Sequence, residues 1–184
     1  RMTTAEIKSM ATKYIINTYG DRQLAFVRGE GPYVWDADGV KYLDFLGGIA
    51  VNGLGHCHPG VVEAIREQAG KLIHVSNLYY IEPQAKLAKL LIENCDLDQC
   101  FFCNSGAEAN EAAIKLARKS IKDQGREEAH EIITMENSFH GRTMATIPAT
   151  AQPKYHKGFE PMLPGFEYVP YDDLSAVEGA INEK

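Results

Sequence analysis

Between residues 59 and 92, apolar side chains recur every three or four positions: Val62, Ile65, Ala69, Leu72 and Ile73 after Pro59, then Leu87, Leu90 and Leu91 after Pro83. This spacing predicts two amphipathic packing helices, each opened by a proline whose missing N–H costs nothing in a first turn. A further amphipathic stretch predicts a helix over about residues 4–14. The β-rich runs beginning at Tyr33 and ending at Phe45 flank Asp38-Gly39, which predicts a hairpin. Residues 47–55 are dense in glycine and carry no helical period. They read as a loop or tight crossing whose backbone passes close to another surface.

Beyond residue 100 the rhythm alternates. Cys100-Phe101-Phe102-Cys103 predicts a buried strand, residues 105–124 a helix, residues 131–136 a second strand and residues 166–169 a third. The last of these precedes a helix capped near Asp172 or Asp173 and running to the end of the chain. In the central helix Ala109, Ala112, Ala113, Leu116, Ala117 and Ile121 form a small-residue stripe suited to close packing on a sheet, and Glu111 and Lys115 are spaced to pair. Strand, helix, strand is a βαβ unit, so the expected fold class is α/β with a mainly parallel sheet. Residues 149–165 are rich in proline and glycine and predict a loop.

Composition narrows the function classes. The chain has 184 residues, is 45% hydrophobic and carries a formal charge of −6, with a pI near 5.5. It has enough apolar content for a core, no basic cluster for a nucleic-acid backbone and no apolar run of membrane-spanning length. No nucleic-acid or membrane partner is expected, and the localisation expected is cytoplasmic. Cys57 between His56 and His58, and Cys100-x-x-Cys103, raise the question of a metal. A strand at 100–103 would turn its two thiols to opposite faces, so no metal is expected. His56 and His58 are expected to serve as hydrogen-bonding groups at the turn before Pro59.

The candidate chemistry gathers at two strand ends. Ser105-Gly106-Ala107 opens the central helix, where free first-turn amides and the positive end of the macrodipole suit a phosphate. The same residues with Glu108 also fit a capping box, in which serine and glutamate satisfy those amides. After the next strand comes Asn137-Ser138-Phe139-His140-Gly141-Arg142-Thr143, a second polar loop at the same sheet edge, where open α/β sheets place ligands. Taken singly, Phe139 also fits a loop aromatic tucked into the core, and Arg142 an exposed loop arginine. Neither G-x-x-x-x-G-K-[ST] nor a strand-linked G-x-G-x-x-G occurs, which argues against a nucleotide binder.

Together, Asn104-Ser105-Gly106-Ala107-Glu108-Ala109-Asn110-Glu111 and Ser138-Phe139-His140-Gly141-Arg142-Thr143 resemble motifs of the class III, fold type I, pyridoxal-phosphate-dependent aminotransferases. Gly31-Pro32-Tyr33-Val34-Trp35-Asp36, Gly55-His56-Cys57-His58-Pro59 and Ser76-Asn77-Leu78-Tyr79-Tyr80 extend the likeness. The resemblance covers nearly the whole chain from residue 28 and implies an N-terminal part of such an enzyme. Residues 1–55 would be a small-domain segment with a helix and hairpin, and residues 56–184 the first part of the large cofactor-binding domain.

It further implies pyridoxal 5'-phosphate as cofactor, held by Ser105, Gly106 and Ala107, with Phe139 stacked on its ring and His140 beside it in a supporting role. Arg142 would hold the substrate α-carboxylate in bidentate geometry, and Asn77 and Tyr79 would border the substrate. Within the family, residues 75–80 most resemble members that pass the amino group of N2-acetylornithine to 2-oxoglutarate in arginine biosynthesis. Members using ornithine, succinylornithine or 4-aminobutyrate are close competitors, and an aminomutase is disfavoured by Arg142. The family works as homodimers and needs an aspartate at the pyridine nitrogen and a Schiff-base lysine. No lysine here aligns with that role: Lys115, Lys119 and Lys122 follow the helix, and Lys154 and Lys157 lie in a loop. The expectation is therefore a truncated, inactive chain with exposed strand edges and apolar helix faces, which could otherwise act only as a phosphate-binding or assembly surface.

Overall fold

The computed structural model describes residues 2–182, and the chain divides into two compact units, Arg1–Tyr80 and Ile81–Lys184.

The first unit opens with helix α1 (Thr4–Tyr14), started by a reciprocal cap. Thr3 Oγ1 accepts from the Glu6 amide, and the Glu6 carboxylate accepts from the Thr3 amide. Strands β1 (Phe26–Glu30), β2 (Tyr33–Asp36) and β3 (Lys41–Leu43) form an antiparallel sheet in that order, so the expected hairpin is present with an additional strand before it. Asp36, at 5% exposure, shapes the turn by accepting from the Asp38 and Val40 amides and the Tyr42 hydroxyl. Burial pushes the Asp36 carboxyl up, but the Val40, Tyr42 and Asp38 bonds outweigh it and lower it overall.

The glycine-dense stretch begins as a single turn, α2 (Gly47–Ala50), whose backbone is left-handed: φ is 54° at Gly47, 67° at Gly48, 61° at Ile49 and 62° at Ala50. It ends where Gly55 passes Gly31 so closely that a Cβ would sit 2.9 Å from the Gly31 carbonyl oxygen. His56 pairs there with Gly31 through two backbone bonds (2.9 and 2.8 Å), and its Nε2 lies 2.6 Å from Asp44 Oδ2. The expected hydrogen-bonding role of His56 is thus realised. The first unit continues through α3 (Pro59–Ala69) to Tyr80.

In the second unit, α4 (Glu82–Ile92) precedes the long helix α5 (Gly106–Asp123). Strand β4 (Ile132–Met135) pairs in parallel with β5 (Phe166–Val169), Ile132 opposite Phe166 and Met135 opposite Val169. Their crossover contains two one-turn helices, α6 (Thr146–Ala149) and α7 (Pro153–His156), and α8 (Leu174–Ala180) follows, capped by Asp173. The expected loop at 149–165 therefore includes α7, and α8 ends before the last described residue. The core is Ile114, Ala145 and Ala149 with Ile132 and Phe166 packed against them.

Several expectations are corrected. Residues 100–103 form no strand, because a strand needs a ladder and no described segment pairs with them; the observed parallel pair is β4 with β5. All four cysteines are exposed free thiols. The stripe on α5 is rotated: Ile114 faces the core, while Leu116 is 70% exposed. Ala113 and Ala117 instead line an open apolar groove of about 830 Å³ beside β4. Glu111 bonds the loop after β4, not Lys115. Finally, neither α3 nor α4 contains a buried residue, and much of their apolar faces is exposed, Ile65 and Leu90 among them. Among the described residues, no helix is long and apolar enough to cross a membrane.

Candidate functional site

Helix α5 begins where the sequence requires it to. Ser105 is extended (φ −154°, ψ 160°), and its Oγ accepts from the Glu108 amide at 3.2 Å. Glu108 reaches back one residue further than a capping box requires, its carboxylate accepting from the Asn104 amide at 2.7 Å and from Asn104 Nδ2 at 3.3 Å. Both sequence readings therefore hold in part. The cap takes the Glu108 amide, whereas the Gly106 and Ala107 amides donate to no described group. Apart from its chain neighbours and its own helix, nothing lies within 4 Å of the position a Gly106 Cβ would occupy, and Gly106 is exposed, so the helix start is open on that side.

The loop after β4 is drawn onto this helix start. Gly141, at φ 138°, packs so tightly that a Cβ there would lie 2.8 Å from Ala107 Cβ and 2.5 Å from Thr146 Oγ1. Glycine is required both by the backbone angle and by the space. On one side of it, the His140 amide donates to Thr150 Oγ1 (2.8 Å) and its carbonyl accepts from Asn110 Nδ2 (2.8 Å). On the other side, the Thr143 amide donates to Thr146 Oγ1 (2.9 Å), and the Thr143 hydroxyl donates to the Glu111 carboxylate. Thr146 and Thr150 are fully buried. Their hydroxyls are satisfied by the loop they hold, which is how threonines come to occupy the centre of this unit. Below them, the Tyr168 hydroxyl donates to the Pro148 carbonyl at 2.6 Å, and burial raises its pKa.

The side chains carried by this loop are presented outward. Phe139 is 56% exposed and meets Tyr155 of α7 edge-on at 6.0 Å between ring centroids. The Arg142 guanidinium lies 5.0 Å from the Tyr155 ring centroid and 5.7 Å from that of Phe139, and it pairs with no carboxylate among the described residues. Two open amides, an exposed aromatic face and an unpaired guanidinium thus come together around the Gly141–Ala107 contact. This constellation can receive an anionic group, a flat ring and a carboxylate.

Of the residues expected at the site, Ser105, Gly106, Ala107, Phe139, His140 and Arg142 belong to this one cluster. Asn77 and Tyr79 belong to the first unit, in an exposed turn where the Leu78 amide donates to Ser76 Oγ at 3.3 Å, and they are not among the residues the second unit gathers. Sequence reasoning missed Asn110, Glu111, Thr146, Thr150 and Tyr155. Asn110 and Glu111 close the family-like motif that begins at Asn104, but nothing there gave them a role, since their partners are remote in sequence.

Comparison with known proteins matches residues 15–183 to the family described as aminotransferase class-III. The acetylornithine aminotransferase of Methanocaldococcus jannaschii is 57% identical over 172 residues, which is 94% of this chain and 43% of that protein. Among solved structures, N-acetylornithine aminotransferase from Stenotrophomonas maltophilia K279a matches with TM-score 0.74 at 38% identity, over 94% of this chain and 40% of that one. A Toxoplasma gondii ornithine aminotransferase, whose structure shows partial occupancy of PLP at its active site, matches with TM-score 0.90 at 30% identity over 97% of this chain and 42% of that one. The chain thus spans less than half the length of the relatives it matches.

Proposed function

The chain belongs to the class-III aminotransferase family, and from that premise we propose that it supplies the cofactor-gripping part of an enzyme that moves the amino group of N2-acetylornithine to 2-oxoglutarate, in arginine biosynthesis. The observation that carries this reading is the packing of Gly141 on Ala107, which joins the anion-ready helix start to the loop bearing Phe139 and Arg142.

The family's cofactor, pyridoxal 5'-phosphate, fits the residues present. The Gly106 and Ala107 amides are unspent and open, the Ser105 hydroxyl proton is free to donate while its oxygen caps the helix, and Phe139 offers an exposed ring face. When bound, the group supplies an electrophilic carbonyl and an electron-withdrawing ring. Ser105, Gly106 and Ala107 hold its phosphate and so fix where its reacting end lies. Phe139 covers one face of the ring and keeps water from it, and His140 supports the same face through its bonded backbone. Arg142 binds the α-carboxylate of the incoming N2-acetylornithine in two-point geometry. Because the α-nitrogen is acetylated, the group transferred is the terminal side-chain amine, and this grip sets the reach at which the C–H on the carbon bearing that amine is presented for proton removal.

The family's cofactor-anchoring lysine and ring-nitrogen aspartate are assigned here to parts of the relatives that these 184 residues do not span. Two of the three lysines of α5 are engaged at the far end of the helix from Ser105: Lys119 pairs with Asp123, and Lys122 donates to the Glu127 carbonyl at 2.7 Å. The 184 residues alone are accordingly expected to be inactive. Asn77 and Tyr79 are assigned to the substrate border, and the working enzyme to a cytoplasmic homodimer.

The choice of donor rests on the 57% identity to an acetylornithine aminotransferase; the likeness to an ornithine aminotransferase makes ornithine the second reading. The test is the complete enzyme assayed with 2-oxoglutarate and each amine in turn. A kcat/KM highest for N2-acetylornithine supports the first reading, and one highest for ornithine, succinylornithine or 4-aminobutyrate replaces it. Absence of the visible absorption of bound pyridoxal phosphate would overturn the cofactor.

A further inference from the structure

Arg142 is pinned from both sides by consecutive residues of a single helix. Two positions before it, the His140 carbonyl accepts from Asn110 Nδ2 at 2.8 Å. One position after it, the Thr143 hydroxyl donates to Glu111 Oε1, and three positions after it the Ala145 amide donates to the same oxygen at 3.3 Å. Asn110 and Glu111 belong to α5, the helix whose first residues are the open amides of Gly106 and Ala107. Between Gly106 and Asn110 the helix advances about 6 Å along its axis, a rigid distance because the intervening turn is internally bonded. Gly141 closes the gap by resting on Ala107, so the loop cannot slide along the helix.

We propose that Asn110 and Glu111 are positioning residues: a two-point strut that sets the distance from the phosphate-gripping amides to Arg142, and so the place where a substrate carboxylate can bind. The inference rests on the function proposed above and goes beyond it by assigning a role to residues that touch neither cofactor nor substrate. Arg142 has no ion pair among the described residues to hold it, and the aromatic rings of Phe139 and Tyr155 constrain its guanidinium only loosely. Its position is therefore inherited from its backbone, and its backbone from the strut. Glu111 has a particular advantage here, since one carboxylate oxygen can accept from a hydroxyl and an amide together.

The test uses the complete enzyme loaded with pyridoxal phosphate. Glu111→Ala should raise KM for the amino donor roughly tenfold, the scale of one lost hydrogen bond, while cofactor affinity stays within about twofold. Glu111→Gln keeps the accepting oxygen and should restore KM. Thr143→Val breaks the same bond from the loop side, leaves α5 untouched, and should not add to Glu111→Ala when the two are combined. Independently of activity, hydrogen exchange in the cofactor-free protein should quicken at the amides of residues 143 and 145 in Glu111→Ala and stay unchanged at Glu108. Unchanged KM in Glu111→Ala, parallel loss of substrate and cofactor affinity, or additive effects of the pair would each overturn the strut. Failure of the function beneath it would show differently, in the unmutated enzyme, as absent cofactor absorption or absent transamination.

Discussion

Among the loops that hold residues at positive φ, two are kept there by different chemistry. In the first unit, the left-handed turn at 47–50 hangs from one carboxylate: Asp44 Oδ1 accepts from the Leu46 and Gly47 amides, both at 2.9 Å, and its Oδ2 meets His56 Nε2. In the second unit, the loop around Gly141 is held largely by the hydroxyls of Thr146 and Thr150, both fully buried. The first anchor is ionic and near the surface, and the turn it holds includes Ile49, a β-branched residue at φ 61° that is 81% exposed. The second anchor is internal and mostly neutral, its buried hydroxyls joined by the Glu111 carboxylate from α5, and the strained position is a glycine. The difference teaches that strain can be carried cheaply where glycine and buried partners coincide, whereas a β-branched residue there depends on a titratable clamp.

The sharpest way to break the contrast is Gly141→Ala, which forces a Cβ to 2.5 Å from Thr146 Oγ1. Strain and overpacking together should destabilise the second unit by about 2–4 kcal/mol, read by urea unfolding of the complete enzyme. Thr146→Val keeps the shape but leaves the Thr143 amide without its acceptor. A loss of about 1–3 kcal/mol is expected, and no loss would show that the hydroxyl clamp is dispensable.

Acid should separate the two loops. The bond from His56, followed by the Gly47 and Leu46 amides, holds the Asp44 carboxyl below its ordinary 3.8. A lowered folded-state pKa stabilises fully above the unfolded value and ceases to as pH falls through the folded one. Hydrogen exchange measured while pH falls from 5 toward about 3, corrected for intrinsic rates, should therefore show the Leu46 and Gly47 amides losing protection before those of His140 and Thr143. The smallest effect is a gain. Ile49→Gly relieves left-handed strain at an exposed site and loses some chain entropy, for a net stabilisation of about 0.5–1 kcal/mol in the first unit. A destabilised Ile49→Gly protein would mean that the isoleucine contributes more than its exposure indicates.

Much of this was legible from residues alone. Ser105 and Asp173 cap helices, Pro59 and Pro83 lie in the first turns of two more, and the β-rich runs around Asp38-Gly39 mark the hairpin. Six of the residues expected at the site lie in one cluster. The failures share a cause. Cys100 to Cys103 have the composition of a buried strand but no partner strand among the described residues. The segment from Ala145 to Thr150, half of it threonine or proline, has no apolar period and yet is buried throughout. Tyr155 was missed because nothing near it in sequence marks it as a neighbour of Arg142.

By itself, then, the sequence determined where most helices start, which runs could be extended, and which residue types wait at the helix start and in the loop after β4. These are short-range matters, settled by a residue and its neighbours within a turn or two. Tertiary structure alone decided that Asn110 would meet His140, 30 residues away, and that Glu111 would meet Thr143, 32 residues away. It also decided that two threonines, and no larger apolar side chain, would lie fully buried beneath the loop. A hydroxyl or carboxylate goes inside only where the fold brings it a partner, and partners that far apart along the chain leave no periodic trace in it.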